Sequence, residues 1–153
     1  MKGTEMTTVT DPEIHRVRYA FDGAFQRMLS ASDDEALMAE LSNLLGQVYR
    51  LRELSRSRLG TIPAASSPDL HAVMAACWVR NFDTHRVFDP STAEDAFTDY
   101  YAAGYCVLVW KPLASLPSMT DGHGRHLDYA AELEGKPVLD TLRRGFDALA
   151  ALL

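Results

Sequence analysis

The sequence predicts an all-α fold: a helical bundle of four long helices with one short helix or strand insertion. Three observations lead there. Apolar residues recur at three- and four-residue spacing over most of the chain. Helix start and stop residues punctuate those stretches in the right order. Only one run, residues 105–110, is continuously β-branched and aromatic.

Residues 1–10 are polar and read as a flexible tail, leaving 11–153 as a single helical domain. Asp11-Pro12 has the form of an N-cap with proline at the first helical position. Ile14, Val17, Phe21, Phe25 and Met28 follow at helical spacing, predicting a helix to about Ser30. Ser32-Asp33-Asp34-Glu35 is a second start signal, and Leu37, Leu41, Leu44, Leu45, Val48 and Leu51 give the next helix an apolar stripe reaching towards Leu59. So few residues join the two that they should pack as an antiparallel hairpin.

Gly60 stops the second helix, a Pro- and Ser-containing linker follows, and Ser67-Pro68 opens a third. Leu70, Val73, Met74, Cys77 and Trp78 form its inward face, and Pro90 requires that the helix has ended before it. Ser91-x-x-Glu94 resembles a capping box, and Ala93, Ala96, Phe97, Tyr100 and Tyr101 predict a short helix up to Gly104. The run at 105–110 reads as an extended strand without an evident partner in the chain, one that pairs with its own copy across a dimer or else continues the preceding helix. A long loop over 111–125, a short helix closed by Gly135 and a last helix opened by Pro137 complete the chain. On that last helix Leu139, Leu142, Phe146, Leu149 and Leu153 have the spacing of a packed face.

Composition narrows the function classes. A chain of 153 residues that is 47% hydrophobic can bury roughly two thirds of its unfolded surface in one core. It has no apolar run of membrane-spanning length and no signal-peptide core, so the expectation is a cytoplasmic protein without a membrane partner. Cys77 and Cys106 are too few for a disulfide framework. A net charge of -6 argues against coating nucleic acid by bulk electrostatics. The basic cluster Arg50, Arg52, Arg56 and Arg58 reads as the solvated end of the second helix. No sequence feature calls for a cofactor.

The polar run Arg80-Asn81-Phe82-Asp83-Thr84-His85-Arg86 directly follows the apolar stretch of the third helix. At about 100° per residue Asn81 and His85 stand one above the other, and Arg80 reaches round from roughly 140° away. An arginine fork and a histidine that exchanges a proton near neutral pH suit cleavage of a phosphodiester without a metal. Arg80-Asn81-x-x-x-His85 resembles the signature of the HEPN superfamily, small helical and usually dimeric proteins, many of them metal-independent ribonucleases of toxin and phage-defence systems. The resemblance implies Arg80, Asn81 and His85 as catalytic residues, with His85 as proton-transfer group. Arg86 and Lys111 would bind substrate. It also implies a homodimer with the motifs facing each other, an RNA substrate, and a protein partner such as an antitoxin. Val87 stands where some members carry a tyrosine open to modification. Residues 129–142, centred on Leu133-x-Gly135-x-Pro137-Val138, resemble the tail of small actinobacterial proteins that carry the same helix motif.

Two other readings compete. His123 and His126, with Asp121 or Asp128, have the chemistry of metal ligands but loose spacing. Tyr100, Tyr101, Tyr105 and Trp110 would instead form the apolar surface of a non-catalytic protein-binding module.

Overall fold

The computed structural model of the chain describes residues 11–31, 33–60, 67–80, 97–98, 107–115 and 124–153. The protein is all-α in class. Among the described residues its α-helices are α1 (Pro12–Leu29), α2 (Asp34–Leu59), α3 (Pro68–Arg80), α4 (Arg125–Glu132) and α5 (Val138–Ala150), with one short antiparallel pair, β1 (Phe97–Thr98) and β2 (Val107–Leu108).

Local chemistry sets the helix ends. The Asp11 carboxylate accepts from the Glu13 amide at 2.9 Å, and Pro12 takes the position where a missing N–H costs nothing. Asp33 caps α2 by accepting from Ala36 N–H at 2.7 Å. Gly60 ends that helix at φ 74°, a conformation side chains with a Cβ avoid. The Ser67 hydroxyl accepts from Leu70 N–H at 3.3 Å and caps α3. Around the end of α2, Arg52 and Arg56 pair with Glu53, and Arg58 pairs with Asp11. The basic cluster thus behaves as the solvated helix end that its composition suggests.

α1 packs on α2 as the predicted hairpin, α2 touches α3 and α5, and α3 packs against α4 and α5. The expected stripe of α2, Leu37 to Leu51, is buried throughout. On α1 the core position after Phe21 is Ala24, while Phe25 is only half-buried at the edge. Phe21 stacks on Phe146 of α5 with centroids 3.8 Å apart, and Arg143 closes that seam by donating to Asp22 at 2.6 Å and lying 5.1 Å over the Phe21 ring. The face of α5 is formed by Val138, Leu142, Gly145, Phe146 and Leu149; Leu139 is half-buried and Leu153 exposed, because the helix ends at Ala150.

α3 departs most from a one-sided amphipathic helix. Ala72, Val73, Met74, Ala75, Ala76, Cys77 and Val79 are all buried, so small residues fill the side that a simple stripe would leave to solvent. α5 approaches it closely at Gly145: a Cβ there would lie 2.8 Å from Val73 Cβ.

The extended run finds its partner within the chain. Phe97 pairs with Leu108 and Thr98 with Val107, so the short helix expected across 91–104 gives way to strand at these two residues. Val109 forms a bridge with Pro137, the Trp110 amide donates to Lys136 O at 3.1 Å, and Gly135 N–H donates to Trp110 O at 3.0 Å. These bonds satisfy a backbone that a lone strand would have left unpaired. The tail at 1–10, the linker at 61–66 and most of the loop preceding α4 lie outside the described residues. No described helix is long and apolar enough to cross a membrane.

Candidate functional site

The polar run begins at the last described residue of α3. Arg80 is the last residue of α3, one position beyond the fully buried Val79. Asn81, His85 and Arg86 lie outside the described residues. Of the two expected substrate-binding cations only Lys111 is described; it is half-buried.

An aromatic cluster connects Lys111 to the last turns of α3. Trp78 meets Tyr129 of α4 edge-on with centroids 6.3 Å apart, and Tyr129 meets Trp110 the same way at 6.1 Å. The Tyr129 hydroxyl donates to the backbone carbonyl of Lys111 at 2.6 Å. Burial, reinforced by the charge of Glu134, raises the Tyr129 phenol well above the ordinary tyrosine range, so it remains a donor. Trp110 is 1% exposed and donates through Nε1 to the Thr141 hydroxyl at 2.7 Å; Thr141 in turn donates to Pro137 O at 2.8 Å. Trp110 therefore anchors the strand to α5 and does not form part of an exposed aromatic surface. Tyr100, Tyr101 and Tyr105 lie outside the described residues.

The metal-ligand reading fares differently at each residue. Asp121 and His123 lie outside the described residues, and His126 is exposed. Asp128 is engaged elsewhere: Oδ2 accepts from Arg125 at 3.0 Å, and Oδ1 lies 3.2 Å from His71 Nδ1. That second approach has ion-pair distance without the alignment of a hydrogen bond. No group of three potential metal ligands occurs among the described residues.

Sequence reasoning did not single out His71. It stands in the first turns of α3, faces a carboxylate on α4, and its side chain is 31% exposed. The clasp of Arg125, Asp128 and His71 fixes α4 across α3. No local pattern announces it, since the partners meet only through tertiary packing.

No family model, curated protein or solved structure matches this chain.

Proposed function

We propose that the chain is a HEPN-like, metal-independent endoribonuclease whose catalytic residues are Arg80, Asn81 and His85. The observation that carries the reading is the run Arg80-Asn81-x-x-x-His85, starting at the last residue of a helix buried on nearly every side. A polar run so placed begins from a firmly held backbone, which suits groups that must be positioned to a fraction of an ångström. The Lys111 backbone, held by Tyr129, which in turn meets Trp78 in the last turn of α3, is consistent with Lys111 serving as a cation of the same site.

In this mechanism the ribose 2′-hydroxyl attacks the adjacent phosphorus and the 5′-oxygen of the next nucleotide leaves. The products are a 2′,3′-cyclic phosphate and a free 5′-hydroxyl. His85 takes the proton from the 2′-hydroxyl or returns one to the leaving oxygen, a contribution of about a hundred- to ten-thousand-fold. Arg80 stabilises the charge gathering on the phosphorane, and Asn81 fixes the phosphate or the guanidinium. Arg86 and Lys111 hold the flanking backbone. The reading includes a cytoplasmic homodimer and a protein partner of antitoxin type, as in toxin and phage-defence systems.

The test is cleavage of a mixed RNA pool in excess EDTA by wild type and by His85→Ala. Cleavage by wild type alone, leaving cyclic phosphate ends, supports the assignment. Absence of cleavage by both, with equal folding, overturns it.

A further inference from the structure

The α1/α2 hairpin carries a solvent-open groove of about 570 Å³, lined by residues including Tyr19, Asp22, Gly23 and Arg27 of α1 and Asn43 and Gln47 of α2. Its size is that of a small-ligand site, and none of these residues has a part in the chemistry assigned to Arg80, Asn81 and His85. Its charges are cancelled by neighbours. Glu40 accepts from Arg27 Nε at 2.9 Å and from Asn43 Nδ2 at 3.3 Å, and Arg143 donates to Asp22 Oδ1 at 2.6 Å. The groove therefore offers hydrogen-bonding groups with little net charge, and one carboxylate orients two of them on packed helices.

Glycine inside a helix costs stability relative to alanine, so Gly23 calls for a packing reason. A Cβ there would lie 3.1 Å from Arg27 Nη1 and 3.9 Å from both Cζ and Nη2. The missing side chain lets the guanidinium lie down over α1. With the helix on one side of it, its other side is open, for the Arg27 side chain is 56% exposed. Tyr19, one turn before Gly23 and about 40° round the helix, adds a ring that is 78% exposed. Gln47 Oε1, by contrast, is buried and accepts no hydrogen bond among the described residues. Turning that amide towards a donor in the groove breaks no bond of Oε1 and satisfies an orphaned acceptor.

An open guanidinium, an exposed aromatic ring and uncharged amides are the groups that hold an unstacked base: the first two meet its faces and the amides meet its edge. We propose that the groove is a subsite for an unpaired nucleobase of an RNA strand, with Tyr19 and Arg27 as stacking surfaces and Asn43 and Gln47 on the base edge. The proposal rests on the ribonuclease reading for the identity of the strand, and it adds a base contact away from the scissile phosphate. α2 packs on both α1 and α3, so the groove and Arg80 flank one helix.

The experiment is an NMR titration of the full chain with adenosine, guanosine, cytidine and uridine, and with a 2′-O-methyl RNA octamer of mixed sequence, which lacks the hydroxyl that cleavage needs. At least one nucleoside should shift the side-chain amide signals of Asn43 and Gln47 saturably, and the octamer should do so at lower concentration. Tyr19→Ala removes an exposed ring, so the fold should be unaffected. It should weaken nucleoside binding about ten-fold, equally at low and high salt because no phosphate takes part. Gly23→Ala, whose Cβ displaces the guanidinium, should weaken it as well with unchanged helical circular dichroism. No shift of those amides with any nucleoside, or equal binding by Tyr19→Ala, overturns the proposal. An octamer that binds no more tightly than the best nucleoside overturns the assignment to a strand. RNA cleavage by the same wild-type sample separates the two readings: cleavage without nucleoside binding removes only the subsite, and nucleoside binding without cleavage removes only the ribonuclease.

Discussion

Replacing Gly145 by alanine should destabilise the protein, although alanine is the better helix former. In an exposed helix interior the change would gain up to about 1 kcal/mol. At Gly145 the new Cβ would lie 2.8 Å from Val73 Cβ and 3.3 Å from both Val73 Cγ2 and the Asp69 carbonyl oxygen. Carbon atoms in good contact sit about 3.5–4.0 Å apart. Neither neighbour can withdraw cheaply, since Val73 is fully buried and the Asp69 oxygen belongs to the α3 backbone. Relieving such overpacking costs about 1–3 kcal/mol. Set against the propensity gain, the net loss is up to about 2 kcal/mol, or up to roughly 8 °C in Tm for a chain of this size. Gly46→Ala is the matched control. It makes the same change inside α2, where an added Cβ meets nothing within 4 Å, and should stabilise by about 0.5–1 kcal/mol. Urea and thermal melts followed by circular dichroism give both values. A Gly145→Ala protein stabilised as much as Gly46→Ala would refute the close approach of α5 to α3.

Three further outcomes are expected. Tyr129 binds its proton more tightly in the folded chain, so its contribution to stability is complete below about pH 10 and is lost as pH rises above that value. Urea midpoints should therefore fall with alkalinity less steeply in Tyr129→Phe than in wild type, and at neutral pH the variant should lose about 1 kcal/mol with its bond to Lys111 O. Thr141→Val preserves shape but strands the buried Trp110 Nε1 donor, which should cost about 1–3 kcal/mol in urea unfolding. Arg80→Lys keeps the charge but loses the planar fork, so RNA cleavage should fall by about a hundred-fold or more with the melting curve little changed; unaltered cleavage would remove Arg80 from the reaction.

The parts of the fold that could be read from sequence are those governed by neighbours in the chain. Asp11-Pro12, Asp33, Gly60, Ser67-Pro68 and Pro137 each mark a helix end within a residue or two, because capping satisfies amides and carbonyls only a turn away. Pairing between distant segments left no such trace. The strand at 107–108 finds Phe97–Thr98 through a return of the chain, and Trp110 finds Thr141 through packing; neither has a local signal. The same holds for His71 and Asp128. The apolar period of α3 identified a helix but underestimated its burial, since alanines at 72, 75 and 76 fill both remaining sides and carry little weight in a hydrophobic stripe. For the candidate site, sequence carried the third helix through the polar run to just before Pro90; Arg80 is the last described residue of α3, and Asn81, His85 and Arg86 lie beyond the described residues. Spacing alone also could not supply the bond by which Tyr129 holds the backbone carbonyl of Lys111.

The enclosure of α3 also predicts how the molecule opens. A helix covered by α2, α4 and α5 cannot expose its amides to deuterated solvent through fraying at one face. Its interior protons should be among the slowest to exchange and should leave at a common rate set by global unfolding, whereas α1, with one long exposed flank, releases its own earlier. Arg80 is thus joined to a part of the protein that yields late, and agents that loosen α1 should leave the start of the polar run in place.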